Sequence, residues 1–450
     1  MPVSWTPLKT GPLTVTPAAR LQATLDLLHD VESAARPADA VTSAFFRARR
    51  HIDDQDRGMV LEQLYAVLRH RARLGWWLDR QGQSGSPRNR LLAWLALGEG
   101  RTAEQIRRLF EGTLTEQDHG VLVKLRGCTV VHPDMPDAVR LECPDWAMAP
   151  LRRRFGDGLA VEMAATLTPP PLDLRVNPVK TTREAVLREL KALGLPAEAT
   201  RLAPLGVRVK ERLSLARLKG LKTGEIEIQD EGSQLVALLV GARPAERVVD
   251  FCAGAGGKTL AIAAQMMNKG HIIACDVSEA RLKRCAERLR NAGLHNAETR
   301  LLASETDRWV KRHRGSFDRV LVDAPCSGTG TWRRNPDARW RAPDLGLDNL
   351  VALQGRIMAS AARLVKPGGR LVYATCSVLS EENEDQVAAF LAANPAFRVV
   401  PLQEAAPRLM VGTAGDFLSL TPARNQTDGF FAAVLQREAV SVPREAIVVD

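Results

Sequence analysis

Val248-Val249-Asp250-Phe251-Cys252-Ala253-Gly254-Ala255-Gly256-Gly257-Lys258-Thr259 reads as a strand, a glycine-rich turn and the start of a helix. Glycines in such a turn let the backbone approach a ligand closely, and the free N–H groups of the helix start point at it. A phosphate-binding P-loop needs glycine six residues before its lysine, where this chain has Cys252. A dinucleotide fingerprint beginning at Gly254 needs a third glycine where the chain has Thr259. Both fail. Asp276, at the end of the next apolar run, is placed to accept the two hydroxyls of a ribose, a pairing that suits the adenosine half of S-adenosylmethionine as well as NAD.

Around this turn, apolar runs alternate with amphipathic stretches. Arg247 to Phe251, His271 to Cys275, Arg319 to Val322 and Arg370 to Tyr373 are expected strands of a mostly parallel sheet covered on both faces, with one further strand over Gly429 to Gln436. Asp250 and Asp276 then fall on adjacent strand ends, where an open α/β sheet binds ligands.

Two further strand ends carry cysteines: Phe317-Asp318-Arg319-Val320-Leu321-Val322-Asp323-Ala324-Pro325-Cys326-Ser327-Gly328, and Gly369-Arg370-Leu371-Val372-Tyr373-Ala374-Thr375-Cys376-Ser377. A free cysteine taken singly is as readily a small packing residue. Two at matching strand ends, with Asp323 beside them, suit another chemistry. Carbon 5 of cytosine is a poor nucleophile, but a thiolate adding to carbon 6 makes the ring enamine-like and able to attack a methyl sulfonium. Asp323, protonated or sharing a proton with N3 of the base, favours the charge that develops on the ring. The second cysteine then assists loss of the C5 proton and breakage of the thioether. The spacing alone does not say which cysteine does which.

Before the sheet, the chain has a different character. Leu21, Leu25, Leu28 and Val31 recur at helical spacing, as do residues through Met59 to Leu78 and Leu91 to Leu97, with a loop over Gln81 to Pro87. After Pro169 to Pro171, a strand over Leu172 to Val176, a helix over Arg183 to Leu193 and a strand at Gly206 to Val209 suggest a small α+β unit. The expected division is an all-α domain over 1–160, a small α+β domain over 161–224 and a catalytic α/β domain over 225–440. The last ten residues have no clear pattern.

Composition bounds the rest. The 450 residues, 45% hydrophobic and 25% charged, exceed what one core usually serves and contain no apolar run of about 18 residues that would cross a membrane. The first thirty residues lack a leader pattern, so a cytoplasmic protein is expected. Seven cysteines without a CxxC pair argue against a disulfide framework and against a structural metal. A net charge of +10 favours polyanions.

At Cys252 to Lys258, Asp323 to Ser327 and Ala374 to Ser377 the sequence resembles the RsmB/Sun family of bacterial RNA (cytosine-5) methyltransferases. The similarity runs over nearly the whole chain and includes Leu174 to Asn177, Gln229 to Gln234, Arg333 to Asp337 and Asp428 to Phe431. It implies a Rossmann-like, S-adenosylmethionine-dependent methyltransferase domain preceded by the small α+β domain and an all-α NusB-like RNA-binding domain. It also implies that Cys376 is the nucleophile, that Cys326 aids product release and that Asp323 orients or protonates the base. The cofactor contacts it implies are Cys252, Ala253, Gly254, Ala255, Gly256, Gly257, Lys258, Asp276 and Asp323.

The substrate it points to is small-subunit ribosomal RNA. Transfer RNA, or an RNA-binding assembly role without catalysis, is the alternative. No metal or membrane partner is expected, and the chain is expected to act as a monomer. The chain departs from the family twice: Gly254-Ala255 replaces the usual Ala-Pro of the turn, and Ser304, with Glu305 and Asp307 near it, stands where many members place an acid beside the adenine.

A target cytosine must be single-stranded or flipped out to reach a sheet edge. Arg333 and Arg334, shortly after the Cys326 loop, are the expected RNA contacts. Lys311-Arg312-His313-Arg314 and Arg339 are further candidates for phosphates, and Trp332 and Trp340 for stacking on bases or for core packing.

Overall fold

The computed structural model describes residues 15–210, 218–341, 346–407, 409 and 415–439. The patternless last ten residues lie outside them. The described chain forms two compact units. One is helical and takes residues up to Pro170 together with the segment that begins at Thr331; the other takes the rest. The expected boundary at 160 therefore moves to Pro170, and the small α+β region does not stand apart from the catalytic sheet.

In the helical unit, Thr16 caps the helix Pro17–Ser33 by accepting from Ala19 N, and Leu21, Leu25, Leu28 and Val31 form its buried stripe. The helical periodicity through Met59 to Leu78 is carried by two helices, Asp54–Arg69 and Arg71–Arg80. The break lies at His70, whose Nδ1 bonds Ala66 O at 2.9 Å and whose ring stacks on Trp94. The second helix needs a partner for its free N–H groups, and buried Glu142 supplies it, accepting from Ala72 N (2.8 Å) and Arg73 N (3.0 Å). The Leu91 to Leu97 periodicity ends in a π turn, Trp94–Gly98. A Cβ on Gly98 would sit 2.2 Å from the Trp94 ring, so only glycine allows it.

The segment after Thr331 is built into this helical core. Asp337 Oδ2 accepts from Ala38 N at a helix start, Arg69 Nη2 donates to Arg333 O (3.0 Å), and Trp340 Nε1 donates to Leu68 O (2.9 Å). Arg339 is fully buried and bonds Glu142 O and Thr166 Oγ1.

The second unit begins with the strands β1 (Leu172–Val176), β2 (Ala197–Ala199), β3 (Gly206–Val209) and β4 (Ile226–Ile228), an antiparallel sheet in the order β2-β3-β1-β4. The main sheet follows: β5 (Arg247–Asp250), β6 (His271–Asp276), β7 (Ala297–Leu301), β8 (Phe317–Asp323), β9 (Val365–Thr375), β10 (Phe397–Val400), β11 (Leu418–Leu420) and β12 (Phe430–Arg437). Its order is β10-β12-β9-β8-β5-β6-β7, with β11 also on β12. Strands β5 to β9 are parallel, and β12 runs antiparallel to β9.

Side chains alternate between two apolar layers, as the period of two requires. Val248, Leu321 and Val372 pack on one face, and Val249, Val320, Val322, Leu371 and Tyr373 on the other. The order reverses between β5 and β8, so the carboxyl ends of β5, β6, β8 and β9 open at the switch point, where such sheets hold ligands.

Candidate active site

The glycine turn is fixed from several directions. Gly256 has φ +82°, and a Cβ there would lie 2.4 Å from Cys285 Sγ, so the turn admits no side chain at the cap of the helix Gly257–Gln265. Ala253 N donates to Cys275 O, which ties the turn to β6. Arg288, from the helix Glu279–Ala292, donates through Nη1 to Ala255 O (2.6 Å) and through Nη2 to Glu227 Oε2 on β4 (2.8 Å). This clamp holds the residue at which the family usually has proline.

The two strand-end acids have different work. Asp276 Oδ2 accepts from Gly254 N and Oδ1 from Ser278 N, each at 2.8 Å, and the side chain lines the cavity. Asp250 is buried at 1% exposure and accepts from Thr259 Oγ1 (2.7 Å); burial pushes its carboxyl up to about 7. It anchors the helix and does not face a ligand.

A cavity of about 730 Å³ lies over the turn. Cys252, Ala253, Gly254 and Ala255 form its floor, with Asp276 and Asp323 as its acids and Val277, Leu302, Pro325, Leu353 and Ile357 as apolar walls. A ribose acid beside an apolar slot fits S-adenosylmethionine. Gly256, Gly257 and Lys258, the last three contacts expected from the turn, are outside its wall. Of the residues near the missing adenine acid, Ser304 and Glu305 line the cavity, while Asp307 is spent on capping, accepting from Ala303 N and Trp309 N.

Lys258 turns instead to Asp323, with Nζ 2.6 Å from Oδ2. Burial works against its charge, but the Asp323 carboxylate outweighs burial and raises the ammonium above its usual range. Asp323 pairs with Ala374 across β8 and β9, so the loops that follow bring Cys326 and Cys376 together with Sγ atoms 3.4 Å apart. The hydrogen bond with Cys376, then burial, then the nearby Cys376 and Glu382 charges push the Cys326 thiol well above the ordinary cysteine range. Burial does the same to Cys252. All three sequence-derived catalytic candidates thus meet at one place. Sequence reasoning missed Arg288 and Glu382, because each acts through partners far along the chain.

The expected RNA contacts need correction. Arg333 is 4% exposed within the helical core, which leaves it no face for a phosphate, and Arg339 is wholly buried. Arg334 is half-buried. Trp332, at 1% exposure, packs edge-on to Trp146, so it serves the core rather than a base. Lys311, Arg312 and Arg314 are exposed but precede the first residue of β8, on the amino edge of the sheet, whereas both cysteines follow the carboxyl edge.

Residues 237–436 match the family model of the 16S rRNA methyltransferase RsmB/F, and residues 143–216 match the ferredoxin-like domain of RsmF/B-like methyltransferases. A probable ribosomal RNA small subunit methyltransferase B of Synechocystis sp. is 35% identical over 297 residues, 65% of this chain and 66% of that protein. The chain thus spans just under two thirds of that relative's length. The ribosomal RNA small subunit methyltransferase B of Pectobacterium atrosepticum is 29% identical over 406 residues, 86% of this chain and 92% of that one. Among solved structures, that of PH0851 superposes with a TM-score of 0.77 at 25% identity, covering 95% of this chain and all of that one. Its fold, cofactor turn and relatives agree: residues 237–436 form a domain of the RsmB/F methyltransferase type, and the chain is similar beyond that domain to proteins named ribosomal RNA small subunit methyltransferase B.

Proposed function

We propose that this protein methylates carbon 5 of a cytosine in 16S ribosomal RNA through a covalent bond between Cys376 and carbon 6 of the base. The observation that carries this reading is the pair of thiols 3.4 Å apart beside the Lys258–Asp323 ion pair, at the ends of adjacent parallel strands. A methyltransferase acting on an exocyclic amine has no use for two sulfurs there.

S-adenosylmethionine, held by the 252–255 turn and Asp276, supplies an electrophilic methyl group. The Cys376 thiolate forms a bond to C6, and the ring electrons move toward C5 and N3 as N3 takes a proton that it shares with the Asp323 carboxyl, a proton given back when the ring regains its aromatic form. Lys258 keeps Asp323 oriented by binding one of its oxygens. After C5 has taken the methyl group, its proton leaves to a base or water, the C5–C6 double bond re-forms, and the electron pair of the C6–S bond returns to Cys376. Cys326, holding its proton, donates a hydrogen bond to the departing sulfur. The helical unit is proposed to add RNA affinity.

The test is trapping. Wild type, Cys376→Ala and Cys326→Ala are incubated with S-adenosylmethionine and small-subunit RNA and resolved on a denaturing gel. An adduct that accumulates in Cys326→Ala and is absent from Cys376→Ala supports the roles, and sequencing the trapped RNA names the cytosine. No adduct in any variant, with no methyl on cytosine from wild type, overturns the proposal.

A further inference from the structure

Glu382 is wholly buried next to the two thiols, and the proposed reaction gives it no task. It ends the short turn Ser380–Glu382 that follows Cys376 in the chain. A carboxylate that merely closed a turn would take its donors locally, but these come from elsewhere. Oε1 accepts from Ser327 N (2.8 Å) and Gln354 Nε2 (2.9 Å), and Oε2 accepts from Ser327 Oγ (2.5 Å). Gln354, on the helix Leu347–Ala362, also donates to Pro325 O (2.9 Å). The residues on both sides of Cys326 are therefore tied to one carboxylate.

The network extends to the other cysteine. Ser377 Oγ lies 3.3 Å from Ser327 Oγ and 3.0 Å from Thr329 Oγ1, and Tyr373 OH donates to Glu382 O (2.7 Å). A buried, fully bonded network of this kind fixes geometry more firmly than its single bonds would.

We propose that Glu382 is a positioning residue for Cys326: through Ser327 and Gln354 it holds the 325–327 loop so that the Cys326 thiol faces the Cys376 sulfur across β8 and β9. The role deepens the proposed covalent reaction and rests on it. Its charge also has a chemical effect. Among the described residues, the titratable groups facing Cys326 are Cys376, Glu382 and Tyr373, while Lys258 acts on the Cys376 side. A fixed anion beside Cys326 disfavours its thiolate, so that sulfur keeps its proton and does not compete with Cys376 for the base.

The test reads Cys326 directly and needs no methyl transfer, so its failure is separable from failure of the proposed reaction. Wild type, Glu382→Gln and Ser327→Ala are alkylated with iodoacetamide from pH 6 to 10, and the Cys326 peptide is quantified by mass spectrometry. Glu382→Gln is expected to label Cys326 about tenfold faster at pH 8, with the profile moved to lower pH, the scale on which one nearby like charge acts. Ser327→Ala, which keeps the carboxylate and the backbone N–H bond to it but removes the 2.5 Å hydroxyl bond, loosens the loop and is expected to speed labelling about equally at every pH without moving the profile.

A purely structural role would not move the profile. If Glu382→Gln keeps the wild-type thermal midpoint and labels at the wild-type rate across the range, the proposal is wrong. If Glu382→Gln does not fold, Ser327→Ala decides: wild-type labelling there overturns the positioning role, and faster labelling upholds it.

Discussion

The Sγ atoms of Cys326 and Cys376 stand 3.4 Å apart, although fifty residues separate them in the chain. Because β8 and β9 are neighbours in register, two loops of similar length deliver the sulfurs to one point. Cys376→Ser should abolish methyl transfer by a factor of about 10³ or more, since an alkoxide forms far less readily than a thiolate. Cofactor binding should stay within about twofold, because the thiol is outside the cofactor cavity. Calorimetric titration with S-adenosylhomocysteine checks the second half, and a large loss of binding would contradict this geometry.

Arg288 ties the carbonyl of Ala255 in the turn to Glu227 on β4. Arg288→Ala releases Ala255 O and Glu227 together and should raise the KM for S-adenosylmethionine about tenfold while kcat falls less than about threefold, the cost of one or two charge-assisted hydrogen bonds. Steady-state kinetics at saturating RNA separate the two parameters. A fall confined to kcat would mean that the clamp acts on chemistry instead.

Gly256→Ala combines a positive φ with a Cβ that meets Cys285 Sγ. The expected loss is about 2–4 kcal/mol in urea unfolding, from backbone strain plus overpacking. Adding Cys285→Ala should recover part of it by removing the clashing sulfur. No recovery would place the whole cost in the backbone.

Asp250 gives a pH signature. Burial raises its folded-state carboxyl to about 7, above the unfolded value, so its contribution to stability is fully present only at low pH and is lost as pH rises toward and through 7. Asp250→Asn removes that titration. The variant should lose less stability than wild type between about pH 4 and pH 7, and its thermal midpoint relative to wild type should climb over that window. Glu142, also raised to about 7 by burial, titrates in both proteins and cancels in the difference. Parallel curves would show that Asp250 keeps its charge.

Arg339→Met tests the segment after Thr331. The guanidinium is wholly buried with Glu142 O and Thr166 Oγ1 as acceptors, so methionine removes that donor from both, Thr166 Oγ1 keeping its bond to Met163 O, and should cost the helical unit about 2–4 kcal/mol. A substitution at an RNA-contacting arginine would instead weaken RNA binding with stability unchanged, and measuring both settles which description holds.

The strands that carry the site were legible because each is an apolar run buried on both faces: β5, β6, β8 and β9 all fall where the sequence puts them. Strands β7 and β10 were not. Their sequences, Ala297–Leu301 and Phe397–Val400, lie at the sheet edges with mostly exposed or half-exposed side chains, so no hydrophobic alternation marks them. The helix break at His70 was hidden for a related reason: the cap that starts the second helix comes from Glu142, far along the chain.

By itself the sequence determined the alternating sheet, the ligand turn and the residue types at the strand ends, because these follow from local periodicity and from what glycine, aspartate and cysteine can do. Tertiary structure alone decided how those residues are used. Two aspartates at adjacent strand ends look alike in sequence, yet Asp250 is sealed under a helix and Asp276 opens onto a cavity. Two arginines after the Cys326 loop look like RNA contacts, yet Arg333 is enclosed by helices from the start of the chain. Charge is written in the sequence, but burial and pairing depend on neighbours hundreds of residues away.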